Sequence, residues 1–273
     1  MAQRRVDFAA LLAVSADDLD RLAAQRRIVL KDEPAAVVEL LGTGAEAVVR
    51  KTYRNLGMRW LQTFARRSRA AREFENLAAA EHLGLQCTRP RAWSEVRSFG
   101  FVRSSTLVTG WIDDTTTLKA ALASLPRTGH GSERRALAAG LGRLLAQLHD
   151  RGLLWCTPMP RNVLVKGPLA SAQLLLCDLP AVVAFPGPVP RSQTLLDLYD
   201  ANGSPSRRVE WTAPERLRML LAYADDNRAV ARRLWRELAR RTRSGNRWRK
   251  NLSMALRTYI LRRSTHKRVD PAS

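Results

Sequence analysis

The sequence has few cysteines and no long apolar run, and each shortage excludes a class of protein. The three cysteines, Cys87, Cys156 and Cys177, form no C-x-x-C pair, and an odd number does not indicate a disulfide framework. No segment approaches the roughly 18 uncharged apolar residues of a membrane-spanning helix, and the N-terminal apolar run is too short for a signal peptide. These features predict a cytoplasmic protein that meets a membrane only from the side.

Acidic residues are also scarce, which leaves a large positive charge. Lys and Arg number 46 and Asp and Glu 25, so the formal net charge is +21. This excess predicts attraction to polyanions such as phosphorylated lipids, anionic membrane surfaces or nucleic acid, and charge alone does not choose among them. From Arg228 to Arg268 there are 15 basic residues and one acid, Glu237. A solvated helix face is one interpretation, and a surface for anionic lipid or glycolipid phosphates is the other. A second basic cluster contains Arg66, Arg67, Arg69 and Arg72.

The apolar content of 45% indicates a globular chain, and its first part reads as a small sheet with one prominent helix. Ser15 and Asp18 predict a capped helix over about residues 15–26. Strand-like runs follow at 27–30, 36–41, 46–53 and 101–112. The turn Gly42-Thr43-Gly44 predicts a hairpin, and SRAAREFENLAAAEHLG predicts the helix.

The remainder of the chain is mostly helical in pattern. A long helix is predicted over LAAGLGRLLAQLHDRG, short strands at 163–165 and 174–177, and helices from Ala213 onward. The segment 185–193 reads as a proline-rich loop, and Trp248 to Ile260 as a final amphipathic helix. We therefore predict an α+β, two-lobed, protein-kinase-like fold. Its β-rich N-lobe at 1–112 would carry the nucleotide-phosphate contacts, and its helical C-lobe at 113–273 the catalytic loop, the metal site and the basic C-terminal helices.

Four positions occur in the order that phosphoryl transfer needs. Such a reaction requires a cation on the nucleotide phosphates, a metal held by oxygen ligands, and a group that orients the acceptor hydroxyl. Lys51 ends a strand-like run, and Glu73 or Glu75 on the following helix can pair with it. Asn162 ends a loop, and Asp178 follows the apolar run LLLC. Singly, each is an ordinary surface, capping or turn residue; together, their order favours a shared function.

Several stretches resemble the lipopolysaccharide-core kinases, the family that phosphorylates heptose or Kdo sugars of the Gram-negative core. The matching stretches span most of 36–223 and are VVRKTYRN, AAREFENLAAAEHLGL, LAQLHDRGLLWCTPMPRNVLV, LLLCDLPAV and ERLRMLLAY. The resemblance implies a eukaryotic-kinase-like fold, ATP and Mg²⁺ as cofactors, and a lipopolysaccharide or other anionic glycolipid acceptor at the anionic inner-membrane surface. It also implies site residues: Lys51 with its partner Glu73 and the glycines Gly42 and Gly44 on the nucleotide, and Asn162 and Asp178 on the metal.

The resemblance fails at the catalytic base. The family pattern places an aspartate five residues before the asparagine and a histidine two residues earlier, where this chain has Thr157 and Trp155. A threonine hydroxyl can orient an acceptor but cannot take its proton, and general-base help contributes about 10²–10⁴-fold. The glycine turn is also short for a phosphate cradle. Two hypotheses follow: an ATP-dependent sugar kinase, or a pseudokinase that binds nucleotide, membrane or a partner. A nucleic-acid-binding protein is supported by charge alone.

Overall fold

The structure is a computed structural model that describes residues 14–55, 61–126, 131–156, 158–201 and 211–243. Thr157 and the predicted final helix around Trp248 to Ile260 lie outside these residues. The described chain forms two compact units. The first contains residues up to 81 and 88–113, and the second contains 82–87 and the residues from 114 onward. Each unit is described by itself.

The first unit is built on a five-stranded antiparallel sheet, in which β1 and β4 are the edge strands because the order is β1-β2-β3-β5-β4. The predicted hairpin around the glycine turn is confirmed, with Leu41 paired to Val48. The fourth strand was not predicted, because its residues alternate only partly between buried and exposed. The strands are β1 Arg27–Glu33, β2 Ala36–Leu41, β3 Val48–Arg54, β4 Pro90–Ser98 and β5 Phe101–Gly110.

Two helices accompany this sheet, α1 (Ala16–Gln25) and α2 (Arg69–His82). The predicted capping box of α1 is confirmed: the Asp18 N–H donates to Ser15 Oγ at 3.1 Å, and the Ser15 N–H donates to Asp18 Oδ2 at 3.0 Å. Leu22 of α1 packs in a buried cluster with residues of the sheet. The apolar face of α2 includes Phe74 and Leu77, both fully buried.

The second unit is mainly helical, with two small sheets. One sheet has the order β6-β8-β9, and the other pairs β10 with β7. The predicted proline-rich loop at 185–193 ends earlier than expected. Helix α5 begins at Arg191, immediately after Pro190. The helices are α3 Leu118–Ser124, α4 Gly131–Asp150, α5 Arg191–Ala201, α6 Ala213–Tyr223 and α7 Arg228–Arg243. The strands are β6 Thr115–Thr117, β7 Leu153–Leu154, β8 Val163–Lys166, β9 Gln173–Leu176 and β10 Val183–Ala184.

Helix α4 is the long helix predicted from its leucine spacing, and it packs closely against α6. Gly142 permits this approach, because a Cβ there would lie 2.2 Å from the Met219 carbonyl oxygen. The leucines that define the predicted apolar face are all buried. Helix α4 is therefore the central helix of the second unit. Its packing fixes where the chain enters β7 and the loop after β7.

A buried ion pair joins the beginnings of α4 and α6. Arg134 Nε donates to Glu215 Oε1 at 2.6 Å, and both side chains are at most 5% exposed. Arg134 Nη1 also donates to the Leu122 and Leu125 carbonyls, each at 3.1 Å, and the Thr212 N–H donates to Glu215 Oε2 at 2.7 Å. Burial alone would raise the pKa of Glu215, but the hydrogen bonds from Arg134 and Thr212 outweigh it and hold that pKa below its ordinary value.

We expect Glu215→Gln to lower the free energy of unfolding by about 3 kcal/mol at pH 7, because it leaves the buried Arg134 guanidinium without its charge partner. The folded-state pKa is lowered, so this stabilisation is present above about pH 4.5 and is lost as the pH falls through the folded pKa. Urea unfolding at several pH values measures both effects, and the difference from wild type should shrink in acid. Asp226→Asn is the control, since its pair with Arg218 is exposed and should contribute less than about 1 kcal/mol. Equal losses in the two variants would contradict this assignment.

Candidate functional site

Lys51 and Glu73 form an ion pair in the first unit. Lys51 lies on β3, and its Nζ donates to Glu73 Oε1 on α2 at 2.8 Å. The other carboxylate oxygen of Glu73 accepts a hydrogen bond from the Tyr53 hydroxyl at 2.7 Å. Glu73 is fully buried and the Lys51 side chain is 13% exposed. The carboxylate therefore has a partner on each oxygen, and it holds the ammonium group in one position at the end of its flexible stem.

The structure decides which glutamate contacts the lysine, a choice that the sequence left open. Glu75 lies two residues further along α2 and pairs with Arg67 instead. Arg69 approaches the same carboxylate as Lys51, with its Nε 4.0 Å from Glu73 Oε2, and its guanidinium carbon lies 4.3 Å from the centroid of the Tyr53 ring. Positive groups thus surround one buried negative charge, an arrangement that suits an anionic ligand.

The glycine turn between β2 and β3 is attached to α1. Gly42 has a φ of 76°, and its N–H donates to the carbonyls of Leu22 at 3.1 Å and Arg26 at 3.0 Å. A Cβ on Gly42 would lie 2.6 Å from Leu22 Cδ2. Glycine at position 42 is therefore required both by this positive φ and by packing against α1, and its N–H is already used. Gly44 has a φ of 60° and open space beside it, so the turn itself requires it.

In the second unit, the buried carboxylate of Asp197 fixes the loop that follows β7. Its Oδ2 accepts the Trp155 N–H at 2.7 Å, and its Oδ1 accepts the Cys156 N–H at 2.8 Å. His149 Nε2 lies 3.1 Å from Oδ2. Cys156 has a φ of 65°, an uncommon conformation for a residue with a side chain. The two backbone hydrogen bonds explain how this conformation is held.

The histidine beside Asp197 continues the network toward α6. A carboxylate only accepts hydrogen bonds, so Nε2 of His149 carries the proton that faces Asp197. In the neutral ring, Nδ1 then accepts from the Tyr223 hydroxyl at 2.9 Å. Burial raises the pKa of Tyr223 to about 12, which keeps this hydroxyl protonated as the donor. The loop is thus linked through Asp197 and His149 to α6.

Asn162 and Asp178 lie at the same end of the β8–β9 hairpin. Asn162 precedes β8 and is 5% exposed, and Asp178 follows β9 and is half-buried. The strands are antiparallel with Val163 opposite Leu176, and the Cys177 N–H donates to the Asn162 carbonyl at 3.1 Å. An amide and a carboxylate oxygen are ligands that hard cations such as Mg²⁺ accept. The donor set at this end of the hairpin therefore fits a magnesium ion.

The structure also shows what the sequence left out. Trp155, at the position where the resemblance expects histidine, is a fully buried core residue. Asp197 and His149 were not predicted as part of the site. A signal for Asp197 existed: it is a single acid inside the apolar run LLDLY, which predicts a buried carboxylate in need of donors.

The family model of the lipopolysaccharide kinase (Kdo/WaaP) family matches residues 41–182, which is 142 of the 273 residues. The chain belongs to the lipopolysaccharide kinase (Kdo/WaaP) family. A solved structure of WaaP in complex with acyl carrier protein is similar, with a TM-score of 0.53 and 17% identity over 87% of this chain and 92% of that one. A Mycobacterium tuberculosis PknI kinase domain matches with a TM-score of 0.43 and 16% identity over 72% of each chain. No curated protein matches the chain in sequence. The protein-kinase-like fold predicted from the sequence is confirmed by the WaaP match.

We expect Glu73→Gln to lower the free energy of unfolding by about 3 kcal/mol, because it leaves Lys51 beside a neutral amide in a buried setting. Glu75→Gln is the matched control on the same helix. Its pair with Arg67 is partly exposed, so we expect a loss within about 1 kcal/mol. Urea unfolding of both variants measures the difference. A loss for Glu75→Gln as large as that for Glu73→Gln would show that the buried pair is not the dominant contact of α2.

Proposed function

We propose that this chain is an ATP-dependent phosphotransferase that phosphorylates a sugar hydroxyl of the lipopolysaccharide core. The observation that carries the proposal is the Lys51–Glu73 ion pair, in which the buried carboxylate of Glu73 on α2 holds the cation of Lys51 on the central strand β3. The placement of Asn162 just before β8 and of Asp178 just after β9, at the same end of this hairpin, supports it. Family membership supplies the class of acceptor.

The chain's own residues bind and orient the reactants in this proposal. The Lys51 ammonium binds nucleotide phosphate oxygens, and Glu73 and Tyr53 keep it in place. Asn162 and Asp178 hold Mg²⁺, which when bound neutralises negative charge on the phosphates. Asp197 holds the backbone of the loop that leads from β7 to Asn162. Gly44, in the open part of the glycine turn, is a further candidate for phosphate contact, whereas the Gly42 N–H is already donated to α1.

Thr157 orients the acceptor hydroxyl in this proposal, since a hydroxyl accepts and donates hydrogen bonds but does not take up a proton at neutral pH. Phosphoryl transfer through a loose transition state needs little help from a base until late in the reaction. Catalysis without a carboxylate at this position is therefore slow rather than absent.

A pseudokinase is the second candidate, and the burial of Trp155 favours it. The histidine position of the loop has become a core residue, and the base position is a threonine. In that case the chain would be a nucleotide-binding or membrane- and partner-binding module. WaaP was solved in complex with acyl carrier protein, so such a carrier is a partner to test for this chain as well.

Helix α7 supports a location at the anionic inner-membrane surface. Ala231, Leu234 and Leu238 bury one face, whereas Arg232 and Arg236 are among the arginines on the exposed faces. Each basic side chain near an anionic bilayer contributes about 1 kcal/mol to binding. No helix among the residues that the structure describes is long and apolar enough to cross a membrane. We propose peripheral binding to anionic lipid, and no specific nucleic acid as a partner.

The test is transfer of radiolabelled phosphate from ATP to purified lipopolysaccharide in the presence of Mg²⁺. We expect slow transfer by the wild-type chain and a loss of at least about 100-fold in Asp178→Asn, because the substitution replaces a charged carboxylate ligand with a neutral amide. Thr157→Asp should increase the rate by about 10²-fold or more, because it supplies a general base. Asp225→Asn is the control, since this exposed aspartate lies in the turn after α6 and asparagine tolerates its φ of 51°.

The outcomes separate the two candidates. Transfer that falls in Asp178→Asn and rises in Thr157→Asp supports the kinase. Absence of transfer by the wild-type chain and by Thr157→Asp would overturn the kinase and leave the pseudokinase. Transfer that is unchanged in Asp178→Asn would show that the metal is held elsewhere.

A further inference from the structure

The hairpin that joins β4 to β5 carries a residue that local stability does not explain. Ser98 pairs with Phe101, so the connection is only Phe99 and Gly100, with φ values of 50° and 80°. Two-residue turns with positive φ at both positions strongly favour Asn-Gly or Asp-Gly. A bulky aromatic residue is strained in this conformation. Phe99 is also 91% exposed, so its ring gains no packing that would offset the strain.

Two further apolar side chains lie close to this turn. Phe64 is 57% exposed, and its ring centroid lies 4.9 Å from that of Phe101. The Ala65 N–H donates to the Gly100 carbonyl at 3.3 Å, so the segment around Phe64 is attached to the turn. Val96 on β4, three residues before Phe99, is 60% exposed. We call Phe64, Val96 and Phe99 the hairpin patch.

The two segments that carry the hairpin patch are rich in arginine. Arg97 holds the base of the turn, with Nη1 donating to the Gly100 carbonyl at 2.9 Å and Nη2 to the Arg66 carbonyl at 2.6 Å. The two segments that form this region, 61–72 and 95–103, contain one acid, Glu95. Their arginines are Arg66, Arg67, Arg69, Arg72, Arg97 and Arg103. Three of them also face carboxylates: Arg67 pairs with Glu75, Arg69 approaches Glu73, and Arg97 pairs with Glu95 at 2.5 Å. An apolar tip with cations at its base has the charge and polarity of an interfacial membrane anchor, in which apolar groups enter the bilayer boundary and cations meet lipid phosphates.

We propose that the hairpin patch inserts into the interface of an anionic bilayer, and that the β4–β5 hairpin is a membrane-contact element of the first unit. The inference rests on the proposed function only in that a membrane glycolipid acceptor gives the contact its purpose. The occupant is lipid rather than a protein, because the arginines match lipid phosphates and the apolar part is a projecting turn rather than a groove. Phe99 supplies apolar area, and the arginines supply the preference for anionic lipid.

The test is co-sedimentation of the full chain with vesicles of phosphatidylethanolamine and phosphatidylglycerol, compared with vesicles of phosphatidylcholine alone. We expect Phe99→Asn to weaken partitioning into the anionic vesicles by at least about tenfold, because one aromatic side chain no longer enters the bilayer. The same substitution should leave the thermal unfolding midpoint equal or higher, because asparagine adopts positive φ more readily than phenylalanine. Phe99→Gly should behave in the same way.

Val29→Thr is the control, because Val29 is 51% exposed on edge strand β1 and lies outside the hairpin patch. Unchanged vesicle binding in Phe99→Asn, or equal weakening in Val29→Thr, would overturn the inference. The inference would also be overturned if the chain bound acyl carrier protein in a way that depends on Phe99 but did not bind the vesicles. Vesicle binding is measured without ATP. A chain that fails to transfer phosphate can therefore still confirm the hairpin patch, and a chain that transfers phosphate can still refute it.

Discussion

The backbone just after β7, at Trp155 and Cys156, is held by one buried carboxylate, that of Asp197. A carboxylate with no access to water must find several donors, and Asp197 finds two backbone N–H groups and the His149 ring. Because Trp155 and Cys156 are held through their N–H groups, the side chains at these two positions are not part of this constraint. A tryptophan can therefore replace the histidine of the family pattern, and the loop backbone keeps its anchor.

The candidate site residues of the two units differ in the chemical role that the proposed function gives them. The groups to which the proposed function assigns the binding of charge are the Lys51–Glu73 pair on β3 and α2, and Asn162 with Asp178 beside the β8–β9 hairpin. The group that would accept a proton has become Thr157. The positioning part of phosphoryl transfer relies on electrostatics and geometry, and it contributes more than the base does. Under the proposed function, a chain with this pattern would retain the larger contribution and lose the smaller one.

Many of the helices and strands could be predicted from the sequence, because the spacing of apolar and capping residues is a local signal for each element. The leucine spacing of α4, the Ser15–Asp18 cap and the glycine hairpin were all predicted. Strand β4 was missed because its burial does not alternate cleanly, and α5 because its approach is rich in proline. The choice of Glu73 over Glu75 depends on which helix face meets β3, and the role of Asp197 depends on contacts with residues more than forty positions away. Such contacts are set by tertiary packing, which no local pattern encodes.

The most direct measurement is a calorimetric titration of the purified chain with ATP, with and without Mg²⁺, beside Asp178→Ala. Retained charge-binding groups predict ATP binding that strengthens with Mg²⁺ in the wild-type chain, and loss of the Mg²⁺ effect in Asp178→Ala. Absence of binding at millimolar ATP, or a Mg²⁺ effect that survives in Asp178→Ala, would contradict the claim that the nucleotide and metal groups of the site still function.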